Sequence, residues 1–353
     1  MLIWIYLPQK HLKTYFMKKL FLLLSFAALL ATSCQEILDV IEDAGNGNAN
    51  TGALKGAFTV NKDGGTIYFS QGNLQYQMST KTWRFAEHQW DYVGHNYYVE
   101  TGDDVFENIH QGTVDGSTNE GIVENGYSGW IDLFGWGTSG SGDRKPNMSV
   151  LNSLKYLTGG KDIAGTDNDW GVYNAISNGG KKAGLWRTLT KDEWAYIIGK
   201  RKTASGLLFA PGTVSGVHGL ILLPDDWSTS TFDIKGANEV YDVSWTTNNI
   251  SASDWTGKLE PAGAVFLPCA GNRGNVNYPD EEEMGGGTGP EGYLPFSGNY
   301  WSSSVGGYDP AEDYVNSAYI LYFEYGSNRG TVRADYGQPL CMGNSVRLVQ
   351  DIK

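Results

Sequence analysis

Residues 186–196 read Trp186-Arg187-Thr188-Leu189-Thr190-Lys191-Asp192-Glu193-Trp194-Ala195-Tyr196, and the four from Thr190 to Glu193 fix a helix start. A Thr hydroxyl takes the amide of the third helical residue, while a Glu at that position reaches back to the Thr amide. Leu189 and Trp194 occupy the staple positions around this box. Trp194, Ile197 and Ile198 then continue one apolar face, so a buried amphipathic helix follows.

The text on both sides of this helix is mostly strand-like. Phe58-Thr59-Val60 and Thr66-Ile67-Tyr68-Phe69 flank Lys62-Asp63-Gly64-Gly65, a turn signal, and residues 74–77 and 83–86 extend the pattern. Residues 207–214 and 219–223 bracket Ser215-Gly216 and predict a hairpin. Further strands are predicted over 264–267, 319–325, 330–334 and 345–350, and a weaker helix over about 171–177. Residues 94–150 are rich in Gly, Asn, Ser and Asp but contain Trp130, Phe134 and Trp136. They predict long irregular structure pinned by aromatics.

The longest apolar run, residues 20–30, has eleven residues and follows Lys18-Lys19. That length suits a signal peptide and is too short to span a bilayer. Ala31-Thr32-Ser33 then precede Cys34, the pattern of a bacterial lipoprotein signal in which Cys34 is the lipidated residue. Residues 1–33 are therefore read as the signal, with Met17 as the natural start and 1–16 as a mis-assigned upstream extension. Residues 34–56, acidic and then rich in Gly and Asn, read as a flexible tether, and 57–353 as a single domain. The expected location is the outer membrane, lipid-anchored and displayed at the cell surface.

Across 353 residues, 26 Lys+Arg face 39 Asp+Glu, a formal charge of −13. Cleavage before Cys34 would remove Lys10, Lys13, Lys18 and Lys19 and no acid, which makes the chain more negative still. Such a balance argues against nucleic acid as a partner and leaves acyl groups as the anchor to the membrane. His88, His95, His110 and His218 show no metal-pair spacing, and no GxSxG is present. No catalytic residue, metal or cofactor is expected. Asp167-Asn168-Asp169-Trp170-Gly171 offers closely spaced oxygens but lacks the distal Glu of a calcium loop, and a turn capping the next helix is the plainer reading. In an exported chain Cys269 and Cys341 could form a disulfide or remain two separate buried thiols.

The 186–196 segment resembles the helix start of formylglycine-generating enzymes and related C-type-lectin-like domains. Tyr300-Trp301-Ser302-Ser303-Ser304 and Ser345-Val346-Arg347-Leu348-Val349 resemble the ending of that superfamily. The run from about 57 to 349 is similar to bacterial surface lipoproteins of the major paralogous domain group. That similarity is carried by residues 68–76, 130–137, 169–174 and 222–227. The resemblance implies an α+β fold: an expanded C-type-lectin-like domain with a twisted antiparallel sheet, two helices and long irregular loops. It also implies chain ends that pair and ligands bound late in the chain. Cys269 and Cys341 do not reproduce the closely spaced cysteine pair of the oxidases, and Gln338-Pro339-Leu340 lacks the third group of a calcium-dependent sugar motif.

The expected function is thus a non-catalytic adhesin or receptor for a glycan or protein ligand. A structural part of the envelope, or an enzyme on the same scaffold, are the alternatives. The expected binding surface is the 319–336 hairpin and the loops after Trp301. Its ligand-binding candidates are Tyr308, Asp309, Glu312, Asp313, Asn328, Arg329, Arg333, Asp335 and Tyr336. Tyr offers flat area at low entropy cost, Arg a fork of donors, and Asn, Asp and Glu adaptable polar contacts.

Overall fold

The capped helix anchors the architecture. In a computed structural model it runs Lys191–Gly199, with both halves of the capping box formed. Thr190 Oγ1 accepts from the Glu193 amide (3.2 Å), and Glu193 Oε2 accepts from the Thr190 amide (2.8 Å). Trp194 and Ile197 are buried, and the Trp194 ring lies 5.8 Å from that of Phe69. Arg187 ties the helix start to the end of the chain: its guanidinium donates to both Glu193 oxygens (2.8 Å each) and to Asp351 Oδ1 (2.7 Å).

The residues described are 51–102, 105–119, 126–147, 161–239, 247–273, 284–285, 297–309, 314–315, 317–324, 331–340 and 342–352. They form a mixed α+β structure, mostly sheet with few helices. Strands from the two ends of the chain meet: Thr66–Phe69 pairs antiparallel with Leu348–Asp351, which also pairs with Arg187–Thr188. Packing begins before residue 57. Residues 51–56, assigned to the tether on composition, join the domain: Ala53 and Leu54 are buried, and the Leu54 amide donates to Phe69 O at 2.8 Å.

A second sheet carries the predicted hairpin, Phe209–Val214 with Val217–Leu222, flanked by Val265–Pro268 and Asn249–Ile250. Ser215 and Gly216 turn with φ of 51° and 83°, the left-handed pair a two-residue hairpin needs. Both faces of this sheet are covered. Phe209, Leu220, Leu222 and Leu267 enter one apolar cluster, and Val214, Ile221 and Phe266 another. Gly219 is required in it, because a Cβ there would lie 2.4 Å from the Phe266 ring.

The third sheet, Ser297–Val305, Ser317–Glu324 and Thr331–Pro339, lies between two clusters. Tyr300, Leu321 and Phe323 enter one, and Trp301, Ala318 and Ile320 the other.

Two expectations are corrected. Residues 95–111, within the stretch read as irregular, form a hairpin of His95–Gly102 and Val105–Gln111. The second helix is shorter, Trp170–Tyr173, because Asn174 turns extended and its side chain bonds back to Trp170 O (3.0 Å) and to Ser139 O (2.7 Å). Among the described residues, no helix is long and apolar enough to cross a membrane.

Candidate functional site

The C-terminal hairpin carries the expected surface. Within Ser317–Glu324, alternation sends Leu321 and Phe323 inward toward the capped helix and sends Ile320 and Tyr322 to the opposite face. Residues 333 and 336 are three apart, so in a regular strand they would point to opposite faces. The register shifts between them: Tyr322 faces Arg333, while Ile320 faces Tyr336. This bulge brings Arg333 and Tyr336 to the same side as Tyr322.

The resulting patch is aromatic and polar. Tyr322 stacks on Tyr336 with ring centroids 4.8 Å apart and planes 20° apart. Tyr336 is 38% exposed, one of two large hydrophobic side chains that are exposed among the described residues. The Arg333 guanidinium lies 5.5 Å from the Tyr336 ring, and its Nε donates to Asp335 Oδ1 at 2.8 Å. That ion pair holds the Asp335 carboxyl below its ordinary range. Tyr322 donates to Glu324 Oε2 (2.5 Å); burial first, and Glu324 second, push its phenol upward. At the other end of the strand, Lys191 Nζ sits 4.3 Å over the Tyr319 ring.

Arg333, Asp335 and Tyr336 are thus brought together. Tyr308 and Asp309 form a two-residue strand paired with Tyr314–Val315. Glu312, Asp313, Asn328 and Arg329 lie outside the described residues, as do Cys34 and Cys341. Cys269 is a buried free thiol, and burial raises its pKa well above the ordinary value, so it is a poor nucleophile. Tyr322 and Glu324 belong to the patch but were not among the candidates, since apolar side chains on both faces of 319–325 read as a buried strand.

The segments behind the family resemblance are structural. Asp169 is the turn cap: its carboxylate accepts from the Gly171 amide (3.2 Å) and from the Thr188 amide and hydroxyl (3.0 and 2.9 Å). Burial nevertheless raises its pKa to about 6. Arg347 is fully buried and donates to Gln89 Oε1 (3.0 Å) and Asn73 Oδ1 (3.4 Å). The Asn73 amide donates to the Tyr300 hydroxyl, which donates to Pro268 O. Burial lowers the Arg347 pKa to about 10. Arg201 and Arg273 are also buried, and Arg201 is paired with Asp225 Oδ1 at 2.9 Å. Among the described residues, no group of three His, Cys, Asp or Glu side chains is placed to hold a metal ion.

No protein family, curated protein or solved structure matches this chain.

Proposed function

We propose that this protein is a lipid-anchored binding protein of the bacterial outer surface, non-catalytic, whose ligand contacts the Tyr322–Tyr336 face. The observation that carries the reading is the bulge that gathers Arg333 and Tyr336 beside Tyr322. Rigid stacked tyrosines and an adjacent guanidinium are residue types that dominate binding hot spots. The pairing of terminal strands supports an expanded C-type-lectin-like domain. Sequence supports the anchor: a basic start, an eleven-residue apolar core and small residues before Cys34.

Two experiments test this. The Arg333→Ala/Tyr336→Ala variant is compared with wild type on glycan and protein arrays; if no ligand on either array binds the variant more weakly, the hairpin assignment ends. Cys34→Ala should move the protein from the detergent phase to the aqueous phase, and unchanged partitioning would end the lipoprotein assignment.

A further inference from the structure

Apart from the hairpin face, three loops converge on an open cleft of about 480 Å³. The first loop follows strand Thr82–Phe85 and supplies Glu87, His88, Trp90 and Asp91. The second, after Val105–Gln111, supplies Thr113 and Asp115, and Ser215 of the 215–216 turn completes the rim. The size lies within the ~300–1,000 Å³ range of small-ligand sites.

The walls hold flat π surfaces and outward polar groups together. The His88 imidazole is stacked on the Trp90 indole, centroids 4.7 Å apart and planes 17° apart. His88 is oriented by Asp91, whose Oδ2 lies 3.1 Å from Nδ1 and accepts from the His88 amide at 2.9 Å. Thr113 donates to the other Asp91 oxygen at 3.2 Å, so the first two loops are braced against each other. Arg84 closes one end, its guanidinium 3.8 Å from the Trp130 ring centroid and bonded to Gln75 and Glu87.

A pyranose presents an apolar C–H face and a rim of hydroxyls. The first wants a flat ring, and the second wants carboxylate acceptors and hydroxyl partners. This cleft supplies both. Trp90 is buried beneath His88 and Val114 is half-buried, so little apolar area remains for a protein hot spot. Three carboxylates against one guanidinium make the cleft negative and disfavour uronic, sialic or sulfated sugars. We propose that this cleft is a metal-independent binding site for a neutral oligosaccharide, with His88 as the stacking platform and Asp91 and Asp115 as hydroxyl acceptors. It uses none of the hairpin residues and does not depend on the hairpin reading.

The test is calorimetric titration of the full-length protein with neutral tetrasaccharides (β-1,4-glucan, α-mannan and N-acetylglucosamine oligomers), with a tetralysine peptide and with a tetragalacturonate. At least one neutral sugar should bind, about tenfold or more weaker in His88→Ala and in Asp115→Ala. It should bind unchanged in Arg333→Ala/Tyr336→Ala, in EDTA and in high salt. Asp115 is exposed, so its variant keeps the test independent of folding. Four results would each overturn the assignment: no neutral sugar binds; both cleft variants bind normally; EDTA abolishes binding; or only tetralysine binds, with affinity falling as salt rises. Loss in the hairpin variant alone would relocate the sugar to the hairpin and also remove the cleft.

Discussion

The centre around Arg347 and the face around Arg333 share two residue types, Tyr and Arg, yet place them in opposite surroundings. Arg347 is fully enclosed and bonded to two side-chain carbonyls, while Arg333 is exposed and paired to Asp335. Tyr300 gives its hydroxyl to a buried carbonyl, while Tyr336 is exposed to solvent. Composition late in the chain therefore says little about binding. What separates the two regions is what lies across from each side chain: for Arg347 it is Gln89, 258 residues away, and for Tyr336 it is Tyr322, on the next strand.

If the centre is structural, its removal is costly. Arg347→Ala strips donors from buried acceptors and leaves a cavity, and about 3–5 kcal/mol of stability should be lost. Trp194→Ala, emptying the space beside Phe69, should cost a similar ~3–5 kcal/mol. Urea denaturation at neutral pH measures both. A loss under about 1 kcal/mol for Arg347→Ala would mean that the centre tolerates solvent and that the contrast with the hairpin is false.

Two further buried acids sharpen the contrast through pH. Burial raises Asp132 and Asp169 to about 6, although each accepts backbone and side-chain N–H or O–H donors. The folded state then holds more protons than the unfolded one between about 3.8 and about 6, so these groups make stability fall as pH rises through that window. Each contributes on the order of 2–3 kcal/mol by pH 7. The exposed Asp335 is shifted the other way, and screening keeps its share small. Denaturation midpoints between pH 4 and 7 should decline more steeply in wild type than in Asp132→Asn. Parallel curves would show that Asp132 does not titrate there.

Local chemistry was readable. The capping box and the Ser215-Gly216 turn need only neighbours three or four residues away, and both formed where the sequence placed them. The 95–111 hairpin was hidden by averaging: its sequence holds Tyr97, Tyr98, Val99, Val105 and Phe106, but the wider stretch is polar. The bulge was not readable, because a register shift exists only against a partner strand. The burial of Arg347 was not either, since an Arg in a strand carries no mark of what will cover it. Of the nine surface candidates, Arg333, Asp335 and Tyr336 share one patch, and period-two alternation alone would have denied Tyr336 its place beside Arg333.

A smaller loss is expected at the helix cap. Thr190→Ala removes the acceptor for the Glu193 amide and should cost about 1 kcal/mol. The Arg187 clamp on Glu193 remains and limits fraying of the first turn. A thermal melt that does not move would place the helix start elsewhere.

The smallest effect on stability is expected at the hairpin. Arg333→Ala/Tyr336→Ala takes away an exposed ion pair, worth ~0–1 kcal/mol in general, and one exposed stacking partner. The inward residues of that strand, Val332 and Ala334, stay in the core, and the backbone pairing with Ser317–Glu324 is untouched. Stability should change by no more than about 1 kcal/mol, so a loss of binding in this variant would report contact rather than unfolding. A drop as large as that of Arg347→Ala would mean that the Tyr322–Tyr336 stack supports the sheet. The exposed face would then be a structural edge, and the hairpin would no longer differ in kind from the buried centre.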